Sequence, residues 1–273
     1  MATIAENIQT LKSIKSDIKN AIIQKGGSVT DAFGTYAQAI TDLPSGGGGG
    51  TENEDALVMR TLSEYSNDRV SVVGQGAFAY YSNLTSISLP NCIRVNTYAF
   101  YSCKILTSIN LQNCTFIDSY AFALCGSLTS IDLPKCSMIS ERAFESCYSL
   151  TSISLPLCEY LDINAFGYCS NLISVSFPNC SYVSNMAFKF CISLTSINLQ
   201  NCLFIAKQAF YNCGNLAQVY LNSVTNVTTI QSNTFYNCPN LTSIYVPSSL
   251  VDAFKVAPKW SSLSDKIVAY TGA

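Results

Sequence analysis

The sequence contains no histidine and carries few charged side chains. Lysine, arginine, aspartate and glutamate make up 12% of the 273 residues, and the formal net charge is −2. Without histidine, the chain lacks the side chain that most often serves as a general base and as a ligand of metal ions. So few basic residues offer no positively charged surface of the kind that nucleic acid or an anionic membrane binds. We therefore expect no nucleic acid among the partners.

The sequence also has no long apolar segment. Apolar residues account for 48% of the chain, but they are spread in short pieces, none of them long enough to cross a bilayer as a helix. The N-terminus, MATIAENIQTLKSIKSDIKNAI, mixes lysine and aspartate with aliphatic residues, whereas a secretory signal has an uninterrupted apolar core. We expect neither membrane insertion nor export through a signal peptide.

What the sequence has instead is a repeat. The string LTSINLQNCTFIDSYAFALC, at residues 106–125, recurs in similar form along most of the chain. A segment this short cannot bury its own apolar side chains, so its copies must stack on one another. The pattern predicts a solenoid of 22-residue coils, with one longer interval of 25 residues near SVTNVTT. The coils begin at Leu84, Leu106, Leu128, Leu150, Leu172, Leu194, Leu216 and Leu241.

Each coil has two halves with different patterns. The first half reads L-x-x-I-x-L-x-x-C, and its alternation, as at Ile87 and Leu89, is typical of a β-strand. The second half reads C-x-x-I-x-x-x-A-F-x-x-C, as from Cys114 to Cys125. The constant period predicts a ladder of parallel strands with a column of phenylalanines in the core. That column consists of Phe78, Phe100, Phe122, Phe144, Phe166, Phe188 and Phe210.

Thirteen cysteines follow the same period. Neighbouring strands lie about 4.8 Å apart with parallel side chains, whereas a disulfide needs Cβ atoms about 3.8 Å apart. We therefore expect free, buried thiols that act as small apolar side chains. CxxC pairs are absent, so we predict neither a metal site nor a cofactor. The cysteines form two columns, Cys92, Cys114, Cys136, Cys158, Cys180 and Cys202, and Cys103, Cys125, Cys147, Cys169, Cys191, Cys213 and Cys238.

Two amphipathic helices are predicted before the repeats, as a helical head at residues 1–44. The first helix begins with the spacing of a capping box, from Thr3 to Glu6. Five consecutive glycines then make residues 45–51 a linker. The first helix has an apolar stripe, which either forms a short coiled coil between copies of the chain or packs on the second helix. This candidate oligomerisation stripe consists of Ile4, Ile8, Leu11, Ile18 and Ile22.

The open ends of a solenoid require caps. We predict an N-terminal cap at residues 52–83, the solenoid itself at 84–247, and a C-terminal cap at 248–273. In the C-terminal cap, a short helix is stopped by Pro258 and a last strand covers the final coil. The only tryptophan, Trp260, is expected to seal this end.

These coils resemble the BspA-like leucine-rich repeats of bacterial surface proteins. The resemblance rests on the motif LTSIxLPxC…I…AFxxC and covers about residues 62–270. It implies a leucine-rich-repeat solenoid that serves as a non-enzymatic binding scaffold. The head and linker, IKSDIKNAIIQKGGSVTDAFGTYAQAITDLPSGGGGG, resemble the N-terminal pieces of phage and prophage structural proteins, particularly tail-associated ones.

The two resemblances together imply a phage tail-associated adhesin. Surface adhesins with BspA-like repeats are exported and anchored, whereas this sequence shows neither a signal peptide nor a sorting motif in its final YTGA. We therefore expect synthesis in the bacterial cytoplasm and assembly onto a virion, with the head bound to other virion proteins. The solenoid would then face a host-surface protein or glycan. The alternatives are a structural or decoration protein of the virion and a bacterial cell-surface adhesin.

The positions that vary between coils are the candidates for binding. One mostly aromatic row precedes the inward aliphatic residue of the second half-coil and points outward if that half alternates. It is either a contact surface for sugar or protein, or a stack of rings that covers the flank of the solenoid. A weaker candidate is the surface near Tyr220 and Tyr245. No catalytic residue is predicted, and nearby carboxylates such as Glu141 and Glu145 are interpreted as solvated. The row consists of Phe116, Met138, Tyr160, Tyr182 and Phe204.

Overall fold

A computed structural model describes residues 62–271. The predicted head at residues 1–44, its oligomerisation stripe, the linker at 45–51 and the first part of the N-terminal cap lie outside the described residues. Those predictions therefore stay predictions. Among the described residues, no helix has both the length and the apolarity needed to span a bilayer.

The described residues form a parallel β-solenoid built from short strands, as the repeat predicts. Strands of three or four residues alternate along the chain with strands of two residues, except at the C-terminal end. The strands are β1 (Glu64–Ser66), β2 (Val72–Val73), β3 (Ser86–Ser88), β4 (Arg94–Val95), β5 (Ser108–Asn110), β6 (Phe116–Ile117), β7 (Ser130–Asp132), β8 (Met138–Ile139), β9 (Ser152–Ser154), β10 (Tyr160–Leu161), β11 (Ser174–Ser176), β12 (Tyr182–Val183), β13 (Ser196–Asn198), β14 (Phe204–Ile205), β15 (Gln218–Tyr220), β16 (Thr229–Ile230), β17 (Ser243–Val246) and β18 (Ile267–Ala269).

The strands form two parallel sheets, and each coil adds one strand to each of them. The first sheet runs β1-β3-β5-β7-β9-β11-β13-β15-β17-β18, and the second runs from β2 through the even-numbered strands to β16. Neighbouring strands are in register at the repeat period, so that Ile87 pairs with Ile109. Beyond Tyr220 the pairing shifts to 25 residues, and Phe204 pairs with Thr229. The predicted insertion therefore lies between the last two full coils and leaves both sheets continuous.

The core lies between the two sheets and is as repetitive as the sequence. In the three-residue strands from β3 to β15 the central aliphatic side chain is buried, and in every two-residue strand so is the second residue. The predicted phenylalanine column is confirmed. Successive rings from Phe78 to Phe210 have centroids 5.0–5.5 Å apart and are within 8° of parallel. Phe235 extends the column by one ring, at 5.3 Å from Phe210. The insertion displaces Phe235 from the 22-residue period, which is why the pattern did not include it.

A third set of hydrogen bonds joins the coils through a segment of turns. In residues 98–102, for example, the amides of Phe100 and Ser102 donate to carbonyls of the next coil, at 2.7 and 2.8 Å. Two residues of this segment in each coil have positive φ, here Tyr98 at 58° and Ser102 at 60°. This conformation turns alternate amides toward the neighbouring coil. We call this segment and its equivalents in the other coils the turn arc.

The C-terminal cap is a helix followed by a strand, as predicted. A 3₁₀ turn (Ser248–Leu250) leads into helix α1 (Val251–Val256), a second 3₁₀ segment (Ser261–Lys266) follows, and β18 pairs with β17. Trp260 is only 1% exposed and packs against Phe254, at 5.2 Å between ring centroids. Its indole Nε1 donates to the carbonyl of Thr228 at 2.6 Å. Trp260 therefore covers the apolar end of the last coil.

Candidate functional site

The outer face of the first sheet is polar, and several of its side chains hydrogen-bond to the backbone of the preceding coil. In six of the eight coils the first leucine is followed by a threonine whose hydroxyl donates to a carbonyl of the preceding coil. Thr107 Oγ1, for example, donates to the Thr85 carbonyl at 2.9 Å. The same bond recurs at Thr129 and Thr151, at 3.4 and 3.3 Å. These hydroxyls satisfy backbone carbonyls, so their uniformity has a structural reason.

The predicted aromatic row lies on the outer face of the second sheet. Its members occupy the first position of β6, β8, β10, β12 and β14, and they pair with one another in register. The ring of Tyr182 stacks on Tyr160 at 5.0 Å and on Phe204 at 4.8 Å. Met138 is 39% exposed, and the other four side chains are half-buried. We call this set, Phe116, Met138, Tyr160, Tyr182 and Phe204, the aromatic ridge.

A cationic side chain, Arg94, borders the aromatic ridge at its N-terminal end. The guanidinium of Arg94 lies 4.2 Å from the centroid of the Phe116 ring and 3.3 Å from the carboxylate of Asp118. Farther along, the hydroxyl of Tyr160 lies 3.1 Å from Ser184 Oγ. Burial in the stack, and then the neighbouring Tyr160, raise the pKa of Tyr182. The ridge therefore combines apolar ring surface with neutral hydroxyl groups, and both predicted alternatives, contact surface and flank cover, have a basis in this geometry.

The weaker candidate lies at the C-terminal end of the first sheet. Tyr220 and Tyr245 stack at 4.8 Å, and the ring of Tyr270 stands edge-on to both, at 6.4 and 6.3 Å. The hydroxyl of Tyr220 donates to Gln218 Oε1 at 2.9 Å. The structure thus brings the two predicted tyrosines together and adds Tyr270, which the sequence pattern did not include.

The turn arc carries a further aromatic surface that the sequence reasoning missed. At its N-terminal end, Tyr98 stacks on Tyr120 at 4.9 Å, and Tyr101 stands edge-on to Tyr98 and to Tyr80. Tyr80 is 64% exposed. Arg142 donates a hydrogen bond to the Tyr120 hydroxyl and lies near two carboxylates, with its Nε 3.7 Å from Glu141 and 3.9 Å from Glu145. We call Tyr80, Tyr98, Tyr101 and Tyr120 the N-terminal tyrosine cluster.

A second cluster occupies the C-terminal part of the same arc. Tyr168 stacks on Phe190 at 5.1 Å, Phe190 stands edge-on to Tyr211, and Tyr211 stacks on Tyr236 at 5.2 Å. The ammonium of Lys189 lies 5.6, 5.6 and 5.8 Å from the ring centroids of Tyr168, Phe190 and Tyr211. A signal for both clusters was present in the sequence, because aromatic residues are frequent at the variable positions around each Ala-Phe pair. We call Tyr168, Phe190, Tyr211 and Tyr236 the C-terminal aromatic cluster.

The thirteen cysteines are free and buried, as predicted. In one column each thiol donates to the carbonyl of a phenylalanine in the preceding coil, as Cys169 Sγ does to Phe144 at 3.1 Å. In the other column each thiol donates to the carbonyl two residues onward, as Cys158 does to Tyr160 at 3.3 Å. Burial raises the pKa of the Cys169 and Cys158 thiols to about 12. These thiols are held as neutral donors, which makes them poor nucleophiles and poor metal ligands.

The neighbouring carboxylates of Glu141 and Glu145 are also paired with another side chain. Glu141 and Glu145, which are close in sequence, lie on either side of Arg142 as ion-pair partners. Burial raises the pKa of Glu145. Within the part of the chain that the structure describes, no group of three or more cysteine, aspartate or glutamate side chains is arranged to hold a metal ion.

Comparison with known proteins identifies the repeats. The family model described as BspA type leucine-rich repeat region matches residues 64–173 and 137–257, which together span more than half of the chain. A leucine-rich repeat protein from Bacteroides ovatus has 22% identity and a TM-score of 0.53, covering 75% of this chain and 58% of its own. This likeness concerns the fold. No curated protein is significantly similar in sequence.

Two further solved structures resemble the chain more loosely. A leucine-rich cell surface protein from Faecalibacterium prausnitzii has 21% identity and a TM-score of 0.44, covering 78% of this chain and 64% of its own. The leucine-rich repeat protein of T. pallidum has 22% identity and a TM-score of 0.46, covering 75% and 80%. The chain thus spans less than two thirds of the length of the B. ovatus and F. prausnitzii proteins.

Proposed function

Because this chain belongs to the BspA-type leucine-rich repeat family, we propose that it is a non-enzymatic binding protein and, more specifically, a phage or prophage tail-associated adhesin. In this proposal the solenoid is presented to a host-surface protein or glycan, and the head at residues 1–44 attaches to other virion proteins. The tail assignment is supported by the resemblance of the head and linker to phage structural proteins.

The observation that carries the binding role is the aromatic ridge. The core of each coil is complete without it, because the inward residues of both sheets and the phenylalanine column are already buried. The ridge residues lie on the outside and keep part of their ring surface open to solvent. A row of four partly exposed rings and one methionine across five coils is an apolar surface of the kind that binds proteins and sugars.

The ridge is tested by removing its two central rings. We expect the double variant Tyr160→Ser, Tyr182→Ser of the full chain to lose at least about tenfold of its adsorption to host bacterial cells, because stacked aromatic pairs dominate such contacts. The matched control is Tyr148→Ser, which removes a 48% exposed tyrosine outside the ridge. Circular dichroism verifies that both variants keep the fold. Unchanged adsorption of the double variant would contradict the ridge as the contact surface.

The particle context needs a separate experiment. Antibody labelling and electron microscopy of virions should place the chain at a distal tip if it is a tail adhesin. A buried, symmetry-matched position would identify a structural or decoration protein, and labelling of uninfected cells would identify a bacterial surface adhesin.

The proposed role of the head in self-association can be tested in solution. Light scattering of the full chain and of a truncation that begins at Thr51 compares the oligomeric state with and without the apolar stripe. We expect an oligomer that becomes a monomer on truncation. A monomer in both samples would contradict a coiled coil formed by the head.

A further inference from the structure

We propose that the turn arc carries a binding site for an acidic oligosaccharide, formed by Lys189, the C-terminal aromatic cluster and a depression beside Tyr236. This site is on a different segment of the coil from the aromatic ridge. It can therefore exist whether or not the ridge binds a host surface, and the two can be tested with separate variants.

The depression gives the site a place for one sugar ring. It has a volume of about 190 Å³ and is open to solvent, and its walls include Asn233, Tyr236, Ser262, Ile230 and Leu263. Pockets for drug-sized ligands are larger, about 300–1,000 Å³. Tyr236 is 55% exposed and ends the row of stacked rings, and the Asn233 side chain is exposed. An aromatic ring beside an amide and a hydroxyl suits a pyranose, which has one apolar face and a rim of hydroxyl groups.

Lys189 supplies the charge. Its ammonium lies within 5.8 Å of three ring centroids, and among the described residues no carboxylate lies within ion-pair distance of it. The nearby carboxylate of Glu145 is paired with Arg142 at 3.9 Å. By contrast, the cation of the N-terminal tyrosine cluster, Arg142, is flanked by two carboxylates. Lys189 therefore has no direct ion-pair partner among the described residues, and its charge interacts with that of Glu145 only at longer range.

Lys189 and the aromatic rings around it together indicate the chemical class of the ligand. A single cation does not form the extended basic surface that a polyanion such as nucleic acid requires. Rings around one cation suit a ligand with a single negative charge attached to a ring with an apolar face, such as a carboxylated pyranose. Lys189 and Tyr236 belong to coils two steps apart, which corresponds to about 10 Å at the spacing of parallel strands. That separation suits a disaccharide with its acidic residue at Lys189 and its neighbouring residue in the depression.

Two of the rings near Lys189 lie at positions of positive φ in the turn arc. Tyr168 and Phe190 have φ of 63° and 61°, whereas the equivalent positions in the following two coils are Asn212 and Asn237. Asparagine adopts this conformation readily, but it is unfavourable for bulky residues. Two large rings thus occupy positions that local backbone preference would assign to asparagine. Both rings are partly exposed and lie 5.6 Å from the Lys189 ammonium.

The test measures binding of defined sugars to the full chain by NMR titration. The probes are sialyllactose, a disaccharide that contains glucuronic acid, and neutral lactose. We expect at least one acidic probe to bind about tenfold more tightly than lactose, because one charge-assisted contact is added. Which acidic probe binds more tightly distinguishes a sialic acid from a uronic acid. Equal binding of acidic and neutral sugars, or no binding of either acidic probe at 20 mM, would overturn the proposal.

Two variants locate the site. Lys189→Met removes the charge and keeps an unbranched side chain against the rings. It should weaken the binding of the acidic probe about tenfold and leave the binding of lactose unchanged. Tyr236→Ser should weaken the binding of both the acidic and the neutral sugars. The matched controls are Lys207→Met, which removes an exposed lysine outside the aromatic cluster, and Tyr80→Ser, which removes an exposed tyrosine at the other end of the arc. The assignment of the site to Lys189 would be refuted if Lys189→Met bound the acidic probe with wild-type affinity. It would also be refuted if Lys207→Met lost as much affinity for that probe as Lys189→Met.

Discussion

Alkaline pH is expected to unfold the solenoid, because most of its buried thiols ionise less readily in the folded state than in the unfolded chain. The pKa is raised in eleven of the thirteen cysteines, and burial is the first cause in ten of them. In Cys114 the larger cause is a hydrogen bond with Cys92, and the same bond lowers the pKa of Cys92. In Cys136 and Cys238 the pKa is raised to about 11. In the unfolded chain a thiol has a pKa of about 8.5.

The sign and size of the effect follow from these values. A thiol whose pKa is higher in the folded state stabilises the fold fully below pH 8.5, and this contribution is lost as the pH rises from there toward about 11. Above the pKa of the thiol in the unfolded chain, the free energy of unfolding falls by up to about 1.4 kcal/mol per thiol for each pH unit. At pH 9.5, the ten thiols whose pKa is raised first by burial have together lost about 14 kcal/mol relative to pH 7. That is close to the upper end of the stability of about 5–15 kcal/mol of an ordinary domain.

The assay is urea denaturation between pH 7.0 and 9.5 with a reductant present. Circular dichroism follows all coils, and the fluorescence of the single tryptophan, Trp260, follows the C-terminal cap. The range ends at pH 9.5 because tyrosine and lysine titrate near pH 10 and above. We expect the urea midpoint to fall steeply above pH 8.5. A thiol reagent at pH 8 should find few or no reactive thiols in the folded chain and thirteen in urea.

A triple variant provides the control. The thiols of Cys136, Cys158 and Cys180 each donate to a carbonyl two residues onward, at 3.3 or 3.4 Å, and a serine hydroxyl can replace that donor. Replacing all three with serine should reduce the loss at pH 9.5 by about 4 kcal/mol. A urea midpoint that stays level from pH 7.0 to 9.5, or the same pH dependence in the triple variant, would refute the reasoning.

Three further predictions concern the core, the turn arc and the cap. Phe144→Ala removes a fully buried ring stacked at 5.2 and 5.3 Å on its neighbours, so urea denaturation should show a loss of about 3–5 kcal/mol, with a smaller loss in Phe144→Leu. Leu124 has φ of 63°, so Leu124→Ile should lower stability by about 1–2 kcal/mol in thermal denaturation, whereas Leu124→Gly should not lower it. Trp260→Phe leaves the Thr228 carbonyl without its 2.6 Å donor, which should cost about 1–3 kcal/mol. Hydrogen exchange should then accelerate near Ile230 and stay unchanged near Phe122, and uniform acceleration would contradict a local cap.

The repeat period was sufficient to predict much of the core. Identical spacing gives residues in successive coils the same environment, so one inward phenylalanine or cysteine implies a whole column. The position of the insertion followed for the same reason, because a change of period from 22 to 25 residues marks where register must shift. The ridge from Phe116 to Phe204 was also visible, since each member precedes a buried aliphatic residue and must face the other way.

What only the tertiary structure decided is the turn arc. Its positive φ angles arise from hydrogen bonds to the next coil, such as that from the Tyr98 amide to the Ser119 carbonyl at 3.1 Å. Residues such as tyrosine, leucine and methionine rarely adopt this conformation, so local preference offers no sign of it. The arc in turn brings Lys189 to rings from three successive coils, residues that are adjacent only because the coils stack. The sequence by itself determined which side chains form the core, and the stacking of the coils decided which of the others share a surface.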